Sequence, residues 1–361
     1  MANTDDKPAL KITLEDLAKV SVPHDNANAG GALATGASVA GARQYGNIAM
    51  PGPDQVVTDE GKSRIFLQGW FYLGAAGLLG ALVGWGISEP WFVDGPPTQI
   101  INVVFDFMMI PLVIAFVCLG FGVSESLVER SARKALWHGL LSMLLGLVFG
   151  VVFDIVANVF YRMGLMICYE LGVRTHTNPA VWITRGLAWM VFGVAGGLVY
   201  GIIDRSGKKI RYGILGGMIG AGLGGMVFDP IAMATKAGGP SRAIGFGLLG
   251  LATGVAMGIV ESALKDRWLY VASGPLAGKQ FILYKPVTMI GSSQQGEIYL
   301  FKDTSILPQH ASIELRGAQT FLRAAGPVFV SGQPARNRAL ESGDLIQIGR
   351  YAFHFRERHR N

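Results

Sequence analysis

The stretch from Arg211 to Pro230, RYGILGGMIGAGLGGMVFDP, decides how the rest of the chain is read. It has no charge between Arg211 and Asp229. Its glycines stand at 213, 216, 217, 220, 222, 224 and 225, so several pairs are four apart and share one helical face. Such a face lets two backbones touch. In water each helical glycine costs about 0.5–1 kcal/mol relative to alanine, whereas in lipid the backbone must satisfy its own hydrogen bonds within the helix. The segment therefore reads as a membrane helix.

Working outward, the whole composition agrees. Of 361 residues, 50% are hydrophobic and only 16% charged, and the mean hydropathy is +0.38. Glycine supplies 50 residues, about twice the usual share. Cys118 and Cys168 fall in or beside apolar segments, the setting of buried free thiols rather than of a disulfide framework. The net charge of +6 is spread around the apolar segments instead of gathered on one stripe, so it speaks for membrane topology and against nucleic acid.

Residues 1–63 are polar and then rich in Gly, Ala, Asn, Ser and Pro, too poor in apolar mass to offset ordering entropy, and are expected to be a disordered cytoplasmic arm. Within it, Pro8 to Val20 can form a short helix, either a docking motif or transient helicity. Six apolar segments follow in a domain spanning 64–266: 66–88, 100–124, 136–160, 182–203, 212–234 and 243–264. Each is near or above the ~20 residues that cross a hydrocarbon core.

The even segments share a register. Asp106, Arg185 and Arg242 enter them, and Glu125, Asp204 and Glu261 leave them 19 residues later in each case (125 − 106, 204 − 185, 261 − 242). At helical rise that is roughly 28 Å, one bilayer core. The odd segments end in GISEP, GVVFDI and GMVFDP, at Glu89, Asp154 and Asp229. Three tandem two-helix hairpins account for both patterns. Lys62, Arg64, Arg130, Arg133, Lys134, Arg205, Lys208, Lys209, Arg211, Lys265 and Arg267 flank one side, against Arg162, Arg174, Arg185, Lys236 and Arg242 on the other. That bias places both termini in the cytoplasm, and the expected location is the plasma (inner) membrane of a bacterium.

Glu89, Asp106, Asp154, Arg185, Asp229 and Arg242 are the candidate intramembrane and boundary charges. Carboxylates at matching places in the odd helices suggest a cation path, while arginines entering the neighbouring helices at the same level suggest ion pairing. Asp106 stands apart, because its repeat equivalents are arginines. No metal-ligand spacing joins His138 and His176, and no Walker loop, GxSxG elbow or HExxH helix occurs. No metal, cofactor or catalytic residue is therefore expected, and the chain is not read as an enzyme.

After Arg267 the period changes. WLYVASG, KQFILY, VTMIG, EIYLF, HASIEL, TFLRAA, VFVSG, LIQIG and AFHFR are short β-rich runs between turn residues, a β-sandwich over 268–358. The fold class is thus an α-helical polytopic membrane bundle followed by an all-β sandwich. SGPLAGKQFIL, MIGS, DTSILPQHASI, FVSGQPA, LESGDLIQIG and the closing FHFR, in that order, resemble a forkhead-associated (FHA) domain. The resemblance implies a phosphothreonine-peptide module whose recognition loops lie at one end of the sandwich. In the family pattern an Arg follows the first glycine, a Ser stands three residues before the histidine, and an Asn precedes the FVSG strand. Here these places hold Ser292, Leu307 and Gly326, and only the loop-bracing histidine is kept, as His310. A serine hydroxyl does not replace a bidentate guanidinium, so strong phosphothreonine binding should fail.

Two functions follow. One is a membrane-anchored interaction or scaffold module, meeting a protein partner of unknown identity at the cytoplasmic face without strict need of phosphate. The other is a small channel or transporter regulated by its sandwich. A glycine-faced bundle can also associate with copies of itself.

Overall fold

The glycine pattern generates six helices: α1 (Gly69–Ser88), α2 (Ile100–Val128), α3 (Ala132–Glu170), α4 (Pro179–Ile203), α5 (Gly207–Ala234) and α6 (Gly239–Leu264). The computed structural model describes residues 65–96, 99–175, 177–235 and 238–358. The expected arm at 1–63, the helix at 8–20, Lys62, Arg64, His176 and Lys236 lie outside the described residues. All six helices are long and apolar enough to cross a membrane. Local chemistry sets two of their starts. The Asn178 side chain accepts from the Ala180 N–H ahead of α4, and Ser206 Oγ accepts from the Lys209 N–H ahead of α5.

Each helix packs on its neighbours in sequence and α6 returns to α1, so the three hairpins close into a ring. Glycine makes that ring possible. A Cβ on Gly77 of α1 would lie 2.1 Å from the Gly250 carbonyl oxygen of α6, and one on Gly193 of α4 would lie 2.1 Å from the Gly217 oxygen of α5. Large apolar side chains such as Leu79, Leu144, Val148, Leu215 and Leu223 instead point outward and are exposed. Glycines at the closest helix crossings, larger side chains such as Phe121, Trp189 and Phe192 filling the rest of the core, and an apolar outer surface are the arrangement expected of helices whose solvent is lipid. The glycine faces are thus consumed within one chain.

α3 runs ten residues beyond the expected end at Phe160. Packing continues there: Gly164 abuts Thr184, and Cys168 is buried against the same threonine. Tertiary contact with α4 carries the helix past the polar residues Tyr161 and Arg162.

Two residues, Lys265 and Asp266, separate α6 from the sandwich. Its strands are β1 (Arg267–Ser273), β2 (Gln280–Ile282), β3 (Val287–Gly291), β4 (Ile298–Tyr299), β5 (Ala311–Arg316), β6 (Gln319–Ala324), β7 (Val328–Val330), β8 (Gln333–Pro334), β9 (Asn337–Leu340), β10 (Leu345–Ile348) and β11 (Tyr351–Glu357). One sheet runs β2-β1-β11-β10-β7-β8 and the other β4-β3-β5-β6-β9. Alternating residues from both, including Leu269, Val271, Ile290, Ile313, Leu322, Ile346 and Phe353, interdigitate as the core. β8 and β9 exceed the nine runs legible in the sequence. β8 is two residues long, contains Pro334 and sits at a sheet edge, where a missing N–H is tolerated.

Edge strands β2 and β4 lie on the side that meets the inner ends of the helices. Lys279, in the turn before β2, bonds Glu129 at the C-terminus of α2 at 2.9 Å, and each side chain is 2% exposed. Tyr284 OH donates to Glu261 of α6, Arg130 stacks 5.6 Å from the Phe301 ring centre, and Arg358 donates to the Ala263 carbonyl. A cavity of about 980 Å³ remains beneath the sandwich, walled by Tyr72, Glu125, Asp204, Lys209, Glu261 and Tyr284 among others. Halfway along the ring the packing closes to a void of about 20 Å³ between Val113, Phe192, Leu249 and Thr253.

Two measurements check these packing claims. Gly77→Ala should lower the Tm of the detergent-solubilised chain, because its Cβ meets backbone, while Gly86→Ala, whose Cβ meets nothing within 4 Å, should leave the Tm unchanged or slightly raised. Equal effects would contradict backbone-to-backbone packing. Lys279→Ala removes one of the two lysine partners of the buried Glu129 carboxylate, leaving only Lys134 at 3.3 Å, at a cost of about 1–3 kcal/mol. It should speed tryptic cleavage at the Lys265–Arg267 linker, and Lys279→Met with Glu129→Leu should recover most of that loss.

Candidate functional site: the loop end of the sandwich

Three loops converge on His310, which is buried. Its backbone N–H donates to the Ile290 carbonyl, and its own carbonyl accepts from the Ala325 and Gly326 N–H groups at 2.9 and 3.0 Å. In the ring, Nδ1 accepts from the Leu307 N–H at 3.1 Å and Nε2 donates to the Pro327 carbonyl at 3.0 Å. Those partners require the neutral imidazole with its proton on Nε2. His310 thereby ties the β3 end, the β4–β5 loop and the β6–β7 loop together.

The other family-equivalent positions sit around it. Ser292 donates its N–H to the Leu307 carbonyl at 3.0 Å and its Oγ–H to the Ile306 carbonyl at 2.8 Å, so its hydroxyl proton is used inside the loop end. Leu307 is 45% exposed and presents an apolar side chain. Gly326 backs onto the imidazole, where a Cβ would lie 2.3 Å from His310 Cε1. Gly291 is equally constrained, since a Cβ there would meet the Pro308 oxygen at 2.2 Å.

Asp303, which the sequence did not single out, locks the same end. Its Oδ1 accepts from the Ser305 N–H and hydroxyl, and its Oδ2 from the Arg350 N–H at 3.0 Å. Burial pushes the carboxyl up, but the bonds from Ser305 and Arg350 outweigh it and hold Asp303 below the usual carboxylate range. Of Arg316, Arg323, Arg336 and Arg338, the arginines on nearby strands and loops, Arg336 is exposed and the other three have partners within the sandwich. Arg316 and Arg323 both pair with Glu314, and Arg338 donates to the Val330 carbonyl.

The membrane charges separate into two rims. At the outer one, Arg242 bonds Glu89 at 2.7 Å and also Asp94, and Arg185 bonds Asp229 at 2.9 Å while its Nη2 donates to Tyr161 OH. Asp154 is buried and bonded by Asn158, and Asp106 is exposed, with no ion pair to either among the described residues. At the inner rim Glu125, Asp204 and Glu261 surround the buried Lys209. Its ammonium bonds Glu125 at 2.6 Å and also Asp204, and lies 4.0 Å above the Tyr200 ring. The 19-residue spacing marks the three acids, but nothing in the sequence distinguishes Lys209 from the other basic residues on that side.

Residues 288–349 match the family model described as FHA domain. The chain is 31% identical over 90 residues to the glycogen accumulation regulator GarA of Mycolicibacterium smegmatis, covering 24% of this chain and 56% of that one. It is likewise 31% identical over 90 residues to the oxoglutarate dehydrogenase inhibitor of Corynebacterium efficiens, covering 24% and 63%. It therefore spans only a little over half the length of these curated relatives. Among solved structures, the FHA domain of the CT664 protein from Chlamydia trachomatis is 24% identical over 26% of this chain and all of that one, with a TM-score of 0.25. By the family match over residues 288–349, the loops stapled by His310 belong to a protein-interaction fold, and the C-terminal module of this chain is an FHA domain.

Proposed function

We propose that the chain is a membrane-anchored interaction module, or scaffold, which presents its FHA domain at the cytoplasmic face to a protein partner recognised without phosphothreonine. The observation that carries this reading is the use of Ser292 within its own loop end. With the Ser292 hydroxyl bonded to Ile306, and with Gly326 backed onto the His310 ring, neither of these two positions offers a free side-chain donor to a phosphate. The apolar Leu307 and its neighbour Pro308 are exposed instead, so shape and apolar contact supply the recognition.

The ring's packing supports an anchor over a conduit. Among the described residues, the walls of the large inner cavity include none of Glu89, Asp106, Asp154 or Asp229, and the mid-ring void has room for little more than a single water. The excess of Lys and Arg on the side of the sandwich supports the cytoplasmic orientation.

Fluorescence anisotropy on the full chain in nanodiscs, with a phosphothreonine peptide library and its unphosphorylated counterpart, tests this. Phosphate should change Kd by less than about tenfold, ~1.4 kcal/mol. A peptide bound more than a hundredfold tighter when phosphorylated would overturn the assignment of Ser292, Leu307 and Gly326.

A further inference from the structure

The cavity of about 980 Å³ under the sandwich has room for a small molecule, and its polar wall is unfinished. Ser126 of α2 and Thr288 of β3 line it, each more than nine-tenths buried, and among the described residues neither hydroxyl has a hydrogen-bond partner. Arg205, exposed in the turn between α4 and α5, lines it too, and among the described residues no hydrogen bond or ion pair reaches its guanidinium. Buried polar groups are normally satisfied, so these donors await an acceptor. Acceptors stand open as well. Lys209 bonds one oxygen each of Glu125 and Asp204, and the other oxygen of each accepts no hydrogen bond among the described residues. With Glu261 these acids outnumber the ammonium they surround, which leaves the chamber an excess of negative charge. A further stretch of wall is apolar. Trp137, Leu141 and Leu145 stand four residues apart on α3, and Ile202 stands on α4. Trp137, Leu141 and Ile202 are exposed, so they belong to a mouth of the cavity and not to its interior.

We propose that this cavity holds the headgroup of one inner-leaflet phospholipid that carries a primary ammonium, the phosphatidylethanolamine class. The phosphate faces Arg205 and the two hydroxyls, the ammonium faces Glu125 and Asp204, and the acyl chains leave past Trp137, Leu141 and Leu145. This inference rests on the membrane-anchored reading above. Headgroup sites between membrane helices on the cytoplasmic side are built from such basic groups, and charge-assisted bonds to phosphate and carboxylate are the strong ones. An anionic headgroup would bring its phosphate to a chamber rich in carboxylates with no cation of its own, and a choline headgroup has no N–H to donate. A water-soluble phosphoamine would leave the apolar mouth uncovered. Direction agrees. α3 begins at the inner end of the ring, so its Leu141 and Leu145 lie deeper than the charges of the α4–α5 turn, as the chains of an inner-leaflet lipid lie deeper than its headgroup.

Native mass spectrometry tests the site, on the full chain incubated in detergent with equal amounts of phosphatidylethanolamine, phosphatidylcholine and phosphatidylglycerol of distinct chain mass. One lipid should be retained per chain, phosphatidylethanolamine being favoured about fivefold or more over either competitor. Arg205→Gln breaks no side-chain bond within the chain, so it should keep the Tm and lower phosphatidylethanolamine retention about fivefold. Should it lower the Tm, Ser126→Ala must also reduce retention. Equal retention of the three lipids, preference for either competitor, unchanged retention in both variants, or displacement of the lipid by an equal concentration of water-soluble glycerophosphoethanolamine would each overturn the proposal. Vesicle flotation of the same chain separates the two readings. A chain that floats and retains no lipid overturns this site alone, whereas a chain that does not float removes the membrane anchor and the lipid site together.

Discussion

The whole helical block depends on backbone meeting backbone. Where α1 crosses α6 and α4 crosses α5, glycines bring main chains so close that even a methyl group would strike a carbonyl oxygen. In water such a surface would be a weak core, since glycine buries little apolar area and costs the most backbone entropy. In lipid the comparison changes. The outside of a helix is as well solvated by acyl chains as by leucines, so association is driven by close packing, which small residues allow. Exposed leucines and valines around the ring and glycines within it are two aspects of that one condition.

Charge is then confined to the two ends of the ring, where it does different work. At the outer end, planar guanidinium groups bridge adjacent helices through bonds that fix their register, a task lysine's point charge performs less well. At the inner end one buried ammonium bonds Glu125 of α2 and Asp204 at the end of α4, Glu261 of α6 accepts from Tyr200 and Tyr284 beside it, and a second pair, Lys279 with Glu129, extends the same ionic layer into the sandwich. Tyr284 completes the join. Burial raises its hydroxyl well above the ordinary tyrosine range, so it remains a donor to Glu261. The FHA domain is consequently docked on the bundle over an edge of both sheets.

Much of this was legible in the residues because it depends on local periodicity. Glycines four apart, acids 19 residues downstream and β-rich runs between turns each report on their own segment, so the six helices and most of the strands follow. The portions that were not legible depend on distant contacts. α3 outruns its apolar pattern because α4 packs on its end, and β9 pairs with β6 although NRAL has little strand character. At the loop end, the order of motifs located Ser292, Leu307, His310 and Gly326, but the roles of Asp303 and Arg350 required residues 47 apart in sequence to meet. Lys279 and Glu129 lie 150 apart, and neither belongs to a motif.

A docked module differs physically from one on a flexible tether. A free domain loses rotational freedom when it binds, whereas one already held by a two-residue connection and a buried ion pair has lost most of it beforehand. On the proposed membrane-anchored reading, confinement to a surface adds a second advantage for partners that are also membrane-bound, because both search the same thin layer and their effective concentration rises. Under these conditions modest contacts suffice. The strong charge-assisted bonds that a soluble module draws from an arginine fork are less necessary, and a loop end built from a self-satisfied serine, an exposed leucine and a glycine is chemically consistent with recognition supported by placement.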